Sequence, residues 1–120
     1  MSVKFFEATV EHLPRVSVIV LSGLIAASAR DQLVAAYAGV VSEASEGLVL
    51  DFGNVTYINS SGIALLVDLI SRAHRAKRRL VVSSLSGHYQ RIFEITRLAE
   101  YVTIVPDRTA ALNVLVHEPA

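Results

Sequence analysis

The sequence contains no cysteine in its 120 residues. This absence excludes disulfide bonds, thiolate catalysis and cysteine-ligated zinc, and it fits a reducing compartment. The chain must therefore be stabilised by its apolar core, for which 52% hydrophobic residues are sufficient in a domain of this length. We expect a single domain, residues 1–120, located in the cytoplasm.

The sequence also lacks an excess of charge of either sign. Lysine plus arginine and aspartate plus glutamate both total 11, so the formal net charge is zero. A non-specific nucleic-acid binder needs surplus cations to displace counterions, which argues against nucleic acid as a partner. The uncharged stretch at residues 16–29 contains three serines and a glycine. It is shorter than the roughly 20 apolar residues of a membrane-spanning helix, which argues against insertion into a membrane.

Residue patterns typical of catalysis or of metal binding are missing as well. The histidines lie in four separate segments without metal-ligand spacing, at His12, His74, His88 and His117. The glycines are scattered singly and form no phosphate-binding loop. We therefore expect no catalytic residue, no metal site and no cofactor.

The hydrophobic pattern alternates between strand-like and helix-like segments. Strands are predicted at residues 5–10, 15–21, 48–52, 80–82 and 101–105, and helices at residues 27–44, 63–77 and 87–95. Asp107 is expected to cap a final helix that runs through Leu115. Ser22-Gly23 is expected to end the second strand, and Gly47 to end the first helix. This order indicates a single α/β domain with a mixed sheet of about five strands covered by about four helices.

The helix predicted at residues 63–77 has a strong apolar face. Residues that share this face are Leu66, Val67, Ile70 and Ala73, with Leu65 and Leu69 on its flank. Ile63, together with Leu65 or Leu69, is expected to remain partly exposed near the start of the helix and to form a docking surface.

The segment before this helix is the most informative one. Two hydroxyls, Ser60 and Ser61, stand where backbone N–H groups lack intrahelical partners and the helix dipole is positive. A phosphate carries a charge of about −1.5 to −2, which the fold would tolerate here but which would oppose docking onto an apolar or acidic partner. A serine before a helix is more commonly an N-cap, and one serine can cap while its neighbour accepts phosphate.

This segment resembles the STAS family, the domain of anti-sigma factor antagonists that also occurs in sulphate transporters. The strand at residues 48–52, followed by residues 57–63, is similar to the family's Asp-Ser-[Ser/Thr]-Gly-[Leu/Ile] motif. Residues 80–93 look like the strand and helix that follow, and Leu98 with residues 101–105 resembles the closing segment. The resemblance covers residues 16–105.

The resemblance implies a partner-switching function. In this family a kinase-type anti-sigma factor phosphorylates the first serine of the motif, the phosphorylated form releases the kinase, and a serine phosphatase restores binding. Ser60 falls on that position, and Ser61 is the alternative acceptor. The implied partner-binding residues are Gly23, Asn59, Ser60, Ser61, Gly62, Ile63 and Leu65, with Gly62 giving the partner room to approach.

Two departures from the family pattern leave a second hypothesis open. Asn59 stands where the family usually has aspartate, and residues 23–26, Gly-Leu-Ile-Ala, stand where it commonly has Gly-Glu-Leu-Asp. The alternative function is a STAS scaffold or ligand-sensing module of another signalling pathway. In that protein Ser60 would be a helix cap only and would not be phosphorylated.

Overall fold

The computed structural model describes residues 5–117. Within this range the strands are β1 (Glu7–Leu13), β2 (Val16–Ile25), β3 (Gly47–Ile58), β4 (Arg79–Ser83) and β5 (Thr103–Val105). The helices are α1 (Arg30–Ser42), α2 (Ser60–Arg75), α3 (Gly87–Ile95) and α4 (Arg108–His117). The prediction of an α/β domain with a mixed five-stranded sheet and four helices is confirmed.

The five strands form one sheet in the order β1-β2-β3-β4-β5. β1 pairs with β2 as an antiparallel hairpin, whose turn holds Arg15 at a positive φ of 65°. The other neighbouring strands are parallel, as crossover connections through helices require. The carboxyl ends of β2, β3 and β4 therefore meet at one edge of the sheet. The segment with Ser60 and Ser61, which follows β3, lies at this edge.

Helices cover both faces of the sheet. One face carries the larger core, in which sheet residues pack with Leu33 of α1, Leu66 of α2 and Phe93 of α3. The opposite face carries a smaller core, in which Ala111 and Leu115 of α4 meet a row of valines, Val16, Val18, Val49 and Val81. The chain thus forms three layers, with the sheet between α1–α3 and α4.

Two strands continue beyond their predicted ends. Ser22-Gly23 does not end β2, which runs to Ile25, and β3 runs from Gly47 to Ile58 instead of stopping at Phe52. These ends pair with each other through two register shifts, which accommodate the extra residues of β3 as bulges. The predicted role of Gly47 as the end of α1 is also wrong, because α1 ends at Ser42 and Gly47 begins β3.

The ends of β2 and β3 form an arm that extends beyond β4 and β5, with β1 paired to it only at Ser22 among the described residues. The pairing of β3 with β4 ends at Asp51 and Ser83, whereas its pairing with β2 continues to Ile58 opposite Ile25. We call residues 22–25 and 53–58 the β2–β3 arm. α2 begins two residues after the arm ends, so the arm determines where Ser60 is presented.

Candidate protein-interaction site

Asn59 forms the N-cap of α2. Its Oδ1 accepts a hydrogen bond from the Gly62 backbone N–H at 2.9 Å, and its backbone is extended (φ −92°, ψ −179°), as is typical of N-cap residues. Its N–H donates to the Ile25 carbonyl at 3.1 Å, and its own carbonyl accepts from the Ile63 N–H at 2.9 Å. Asn59 therefore ties the start of α2 to the end of β2.

Ser60 and Ser61 are the first two residues of α2, and both are exposed. Neither hydroxyl forms a hydrogen bond with another residue in the range 5–117, so the interpretation of Ser60 as the N-cap is wrong. The pattern was ambiguous because asparagine and serine are both good caps and stand next to each other. Both hydroxyls are accessible to a second protein.

Gly62 is buried, and its role differs from the expected one. A Cβ atom at this position would lie 2.0 Å from the Ile25 carbonyl oxygen, far inside van der Waals contact. Glycine is required here because the first turn of α2 packs directly on the backbone of β2, and not because a partner needs room. Gly62 therefore positions the serines from beneath.

The apolar residues around Ser60 differ partly from the prediction. Ile63 and Leu65 are half-buried as expected, but Leu69 is only 4% exposed and belongs to the core. Val67, which the sequence pattern assigns to the apolar face of the helix, is 43% exposed. Residues three and four apart share a helix face, so Ser60, Ile63, Ala64 and Val67 form one continuous surface, which we call the α2 strip. The same spacing in the sequence indicates this strip.

Gly23 lies within the β2–β3 arm, where it is buried and stands opposite Val55. Its φ of 84° explains the glycine, because this conformation is costly for residues with a Cβ atom. The residue of β2 that contacts the start of α2 is Ile25 and not Gly23. The structure therefore brings Asn59, Ser60, Ser61 and Ile63 together, with Gly23 set back along the arm.

Tyr89 of α3 is a site residue that the sequence pattern did not indicate. Its Oη accepts from the Ile58 backbone N–H at 2.8 Å and lies 3.5 Å from the Ile58 carbonyl oxygen, to which it donates. The hydroxyl thus satisfies both main-chain groups of the last residue of β3 on the side that faces away from β2. Tyr89 fixes the end of the arm immediately before Asn59.

Neither a metal cluster nor a membrane-spanning helix is found in the described part of the chain. Residues 5–117 contain no group of three or more metal-ligating side chains placed to hold an ion. None of the helices in the same range is long and apolar enough to cross a bilayer.

The fold and the serine pair at the start of α2 agree with the resemblance seen in the sequence. The chain belongs to the STAS domain family, because the family model described as "Mlab, STAS domain" matches residues 8–106. A curated relative is BtrV of Bordetella bronchiseptica, a candidate anti-sigma factor antagonist. It is 25% identical over 103 residues, which cover 86% of this chain and 89% of the relative.

Solved structures of anti-sigma factor antagonists share the fold. An antagonist from Mycobacterium paratuberculosis superposes with a TM-score of 0.78 at 24% identity, covering 92% of this chain and 93% of that one. SpoIIAA in its unphosphorylated form gives a TM-score of 0.74 at 17% identity, covering 92% of this chain and 99% of that one. SpoIIAA of Bacillus in its phosphorylated form gives a TM-score of 0.69 at 18% identity, covering 89% of this chain and 98% of that one. At these identities the likeness shows the fold of anti-sigma factor antagonists.

Proposed function

We propose that this protein is a cytoplasmic anti-sigma factor antagonist that binds a kinase-type anti-sigma factor through the surface around Ser60 and is released when Ser60 is phosphorylated. The observation that carries the proposal is that Ser60 is exposed at the first position of α2 and that its hydroxyl forms no hydrogen bond with another of the described residues. The similarity to BtrV and the antagonist fold support the choice of partner. A serine phosphatase would reverse the modification.

Phosphorylation at Ser60 is compatible with the fold. The phosphate would lie at the positive end of the α2 dipole, where negative charge is favourable by roughly 0.3–1 kcal/mol at an exposed position. The N-cap hydrogen bond is made by Asn59 and does not involve the serine. The domain would therefore remain folded while its contact surface changes charge.

The same phosphate would oppose binding. The α2 strip contains Ile63, Ala64 and Val67 beside Ser60, and an apolar contact there would have to desolvate a charge of about −1.5 to −2. In this function the chain supplies only the acceptor hydroxyl. ATP, magnesium and the general base belong to the kinase, so we propose a binding protein and not an enzyme.

The proposal is tested by incubating the purified chain with ATP and the histidine-kinase-like ATPase encoded nearest to its gene, followed by mass spectrometry. We expect one phosphate on Ser60, lost in Ser60→Ala and retained in the matched variant Ser61→Ala. Stoichiometric phosphate in Ser60→Ala would contradict the choice of acceptor.

Binding measurements separate the switch from a constitutive scaffold. We expect Ser60→Asp to keep its far-UV circular dichroism spectrum and to bind the kinase at least about tenfold more weakly, or about 1.4 kcal/mol. Equal affinities of the wild type, Ser60→Ala and Ser60→Asp would favour the second candidate function, a non-phosphorylated STAS scaffold or ligand-sensing module. The neutral Asn59 beside the serine is the feature of the site that favours this alternative.

A further inference from the structure

The N-cap hydrogen bond fixes the orientation of the Asn59 side-chain amide. Oδ1 must be the atom that faces the Gly62 N–H, because the amide nitrogen has no lone pair to accept with. Nδ2 therefore points away from the helix start with two N–H donors. Among residues 5–117 no acceptor is bonded to Nδ2, and the side chain is half-buried beside the exposed Ser60.

The chain segment that carries this donor and the segment of β2 against which it packs are free of formal charge. Residues 16–29 and 52–67, which build this end of the molecule together with Tyr89 of α3, contain no Asp, Glu, Lys or Arg. The first charged residues after them are Arg30 on α1 and Asp68 on α2. These segments supply no cation that could compensate a buried carboxylate of a partner, and burying an uncompensated charge is far more costly than burying a neutral polar group.

From these two observations we infer that Asn59 is a specificity-determining residue whose amide N–H groups donate to a neutral oxygen acceptor of the partner, such as a main-chain carbonyl. The partner is the kinase of the proposed function, on which this inference rests. An N–H group that is left without an acceptor when the interface excludes water costs binding free energy. A partner that binds tightly must therefore place an acceptor opposite the Asn59 amide. Asn59 thus has two separate functions: Oδ1 caps α2 and Nδ2 selects the partner.

The test compares Asn59→Asp with Asn59→Ser in binding to the kinase that phosphorylates Ser60. Both replacements retain an N-cap oxygen, so both variants should fold, and the aspartate should be at least as stable as the wild type because it favours the helix dipole. In Asn59→Asp, a charged carboxylate oxygen replaces the amide donor and faces the oxygen acceptor of the kinase. Because two acceptors then face each other, we expect the affinity of this variant for the kinase to fall at least about tenfold. Asn59→Ser only removes the donor and should lose less, about threefold to tenfold.

The matched control is Asn113→Asp, the same chemical change on the exposed side of α4, for which we expect no change in affinity. A second readout is the pair of Asn59 Nδ2–H signals in nuclear magnetic resonance spectra, which should shift when the kinase binds. Unchanged or tighter binding of Asn59→Asp would overturn the inference, because it would show a donor or a cation opposite residue 59.

Failure of this inference is distinguishable from failure of the proposed function. If the kinase phosphorylates Ser60 and Ser60→Asp weakens binding, but Asn59→Asp does not, only the role of Asn59 is refuted. If no phosphate forms on Ser60, the proposed function fails first.

Discussion

At the scale of single residues, Gly62 is the position where the start of α2 tolerates least change. A methyl group there would overlap the Ile25 carbonyl oxygen, which belongs to the backbone of β2 and cannot rotate away as a side chain can. We expect Gly62→Ala to lower the free energy of unfolding by about 3 kcal/mol, as measured by urea denaturation. The strain also displaces the serines, so binding to the kinase should weaken in parallel.

The control for this prediction is Gly87→Ala. Gly87 begins α3, and no heavy atom beyond its chain neighbours and the adjacent backbone of its own helix lies within 4 Å of the position that its Cβ would take. Because alanine forms helices more readily than glycine, the free energy of unfolding of Gly87→Ala should be unchanged or higher by about 0.5 kcal/mol. Equal losses in both variants would show that the contact with Ile25 is not the cause.

The residues of the site were predictable from the sequence as a group, but their individual roles were not. The motif indicated Asn59, Ser60 and Gly62 from their position before an apolar helix. Which of the neighbouring polar residues caps depends on the position of the first helical turn relative to β2, a long-range contact. The buried position of Gly62 likewise depends on Ile25, which is distant in sequence.

At the scale of structural elements, the junction between the β2–β3 arm and α2 depends on α3. The Tyr89 hydroxyl bonds both main-chain groups of Ile58, and Tyr89→Phe would leave the Ile58 N–H without this acceptor. We expect a loss of about 1–2 kcal/mol in stability and faster hydrogen exchange at the Ile58 amide. Tyr57→Phe is the matched variant, because Tyr57 is 56% exposed, and its exchange rates should equal those of the wild type.

The elements differ in how well the sequence predicted them. α3 was placed correctly at its ends, because Ser86 provides a local cap whose Oγ accepts from the Tyr89 N–H. The arm was missed, because Ser22-Gly23 and Gly53-Asn54 have the composition of turns. These segments become strands by pairing with each other, and Ser22 also pairs with Glu7 of β1. Local propensity does not report such long-range pairing.

At the scale of the whole molecule, α4 is the one helix within residues 5–117 that packs on the second face of the sheet. Leu115 is the larger of its two residues in that core, and it lies against Gly47 and Val16. We expect Leu115→Ala to cost about 2–3 kcal/mol, with coincident urea transitions by fluorescence and circular dichroism if all three layers unfold together. Val116→Ala, a change at a residue that is 70% exposed, should stay within about 0.5 kcal/mol of the wild type.

The three-layer arrangement was predictable only in part. The alternation of strands and helices indicated a covered mixed sheet. Asp107 was correctly predicted to cap the last helix, since its Oδ1 accepts from the Ala110 N–H at 2.8 Å. The periodicity of a helix does not tell which face of the sheet it covers. That choice follows from the strand order and the handedness of the connections.

The division of labour at the start of α2 has a consequence for divergence. The backbone of this region is fixed by Asn59, Gly62 and Tyr89. The side chains at positions 60 and 61 therefore contribute little to its conformation. A combinatorial library randomised at these two positions should consist mostly of folded proteins that differ in what they recognise. After gene duplication, two copies of such a domain can therefore diverge in sequence at positions 60 and 61 and become specific for different partners, while both keep the same fold.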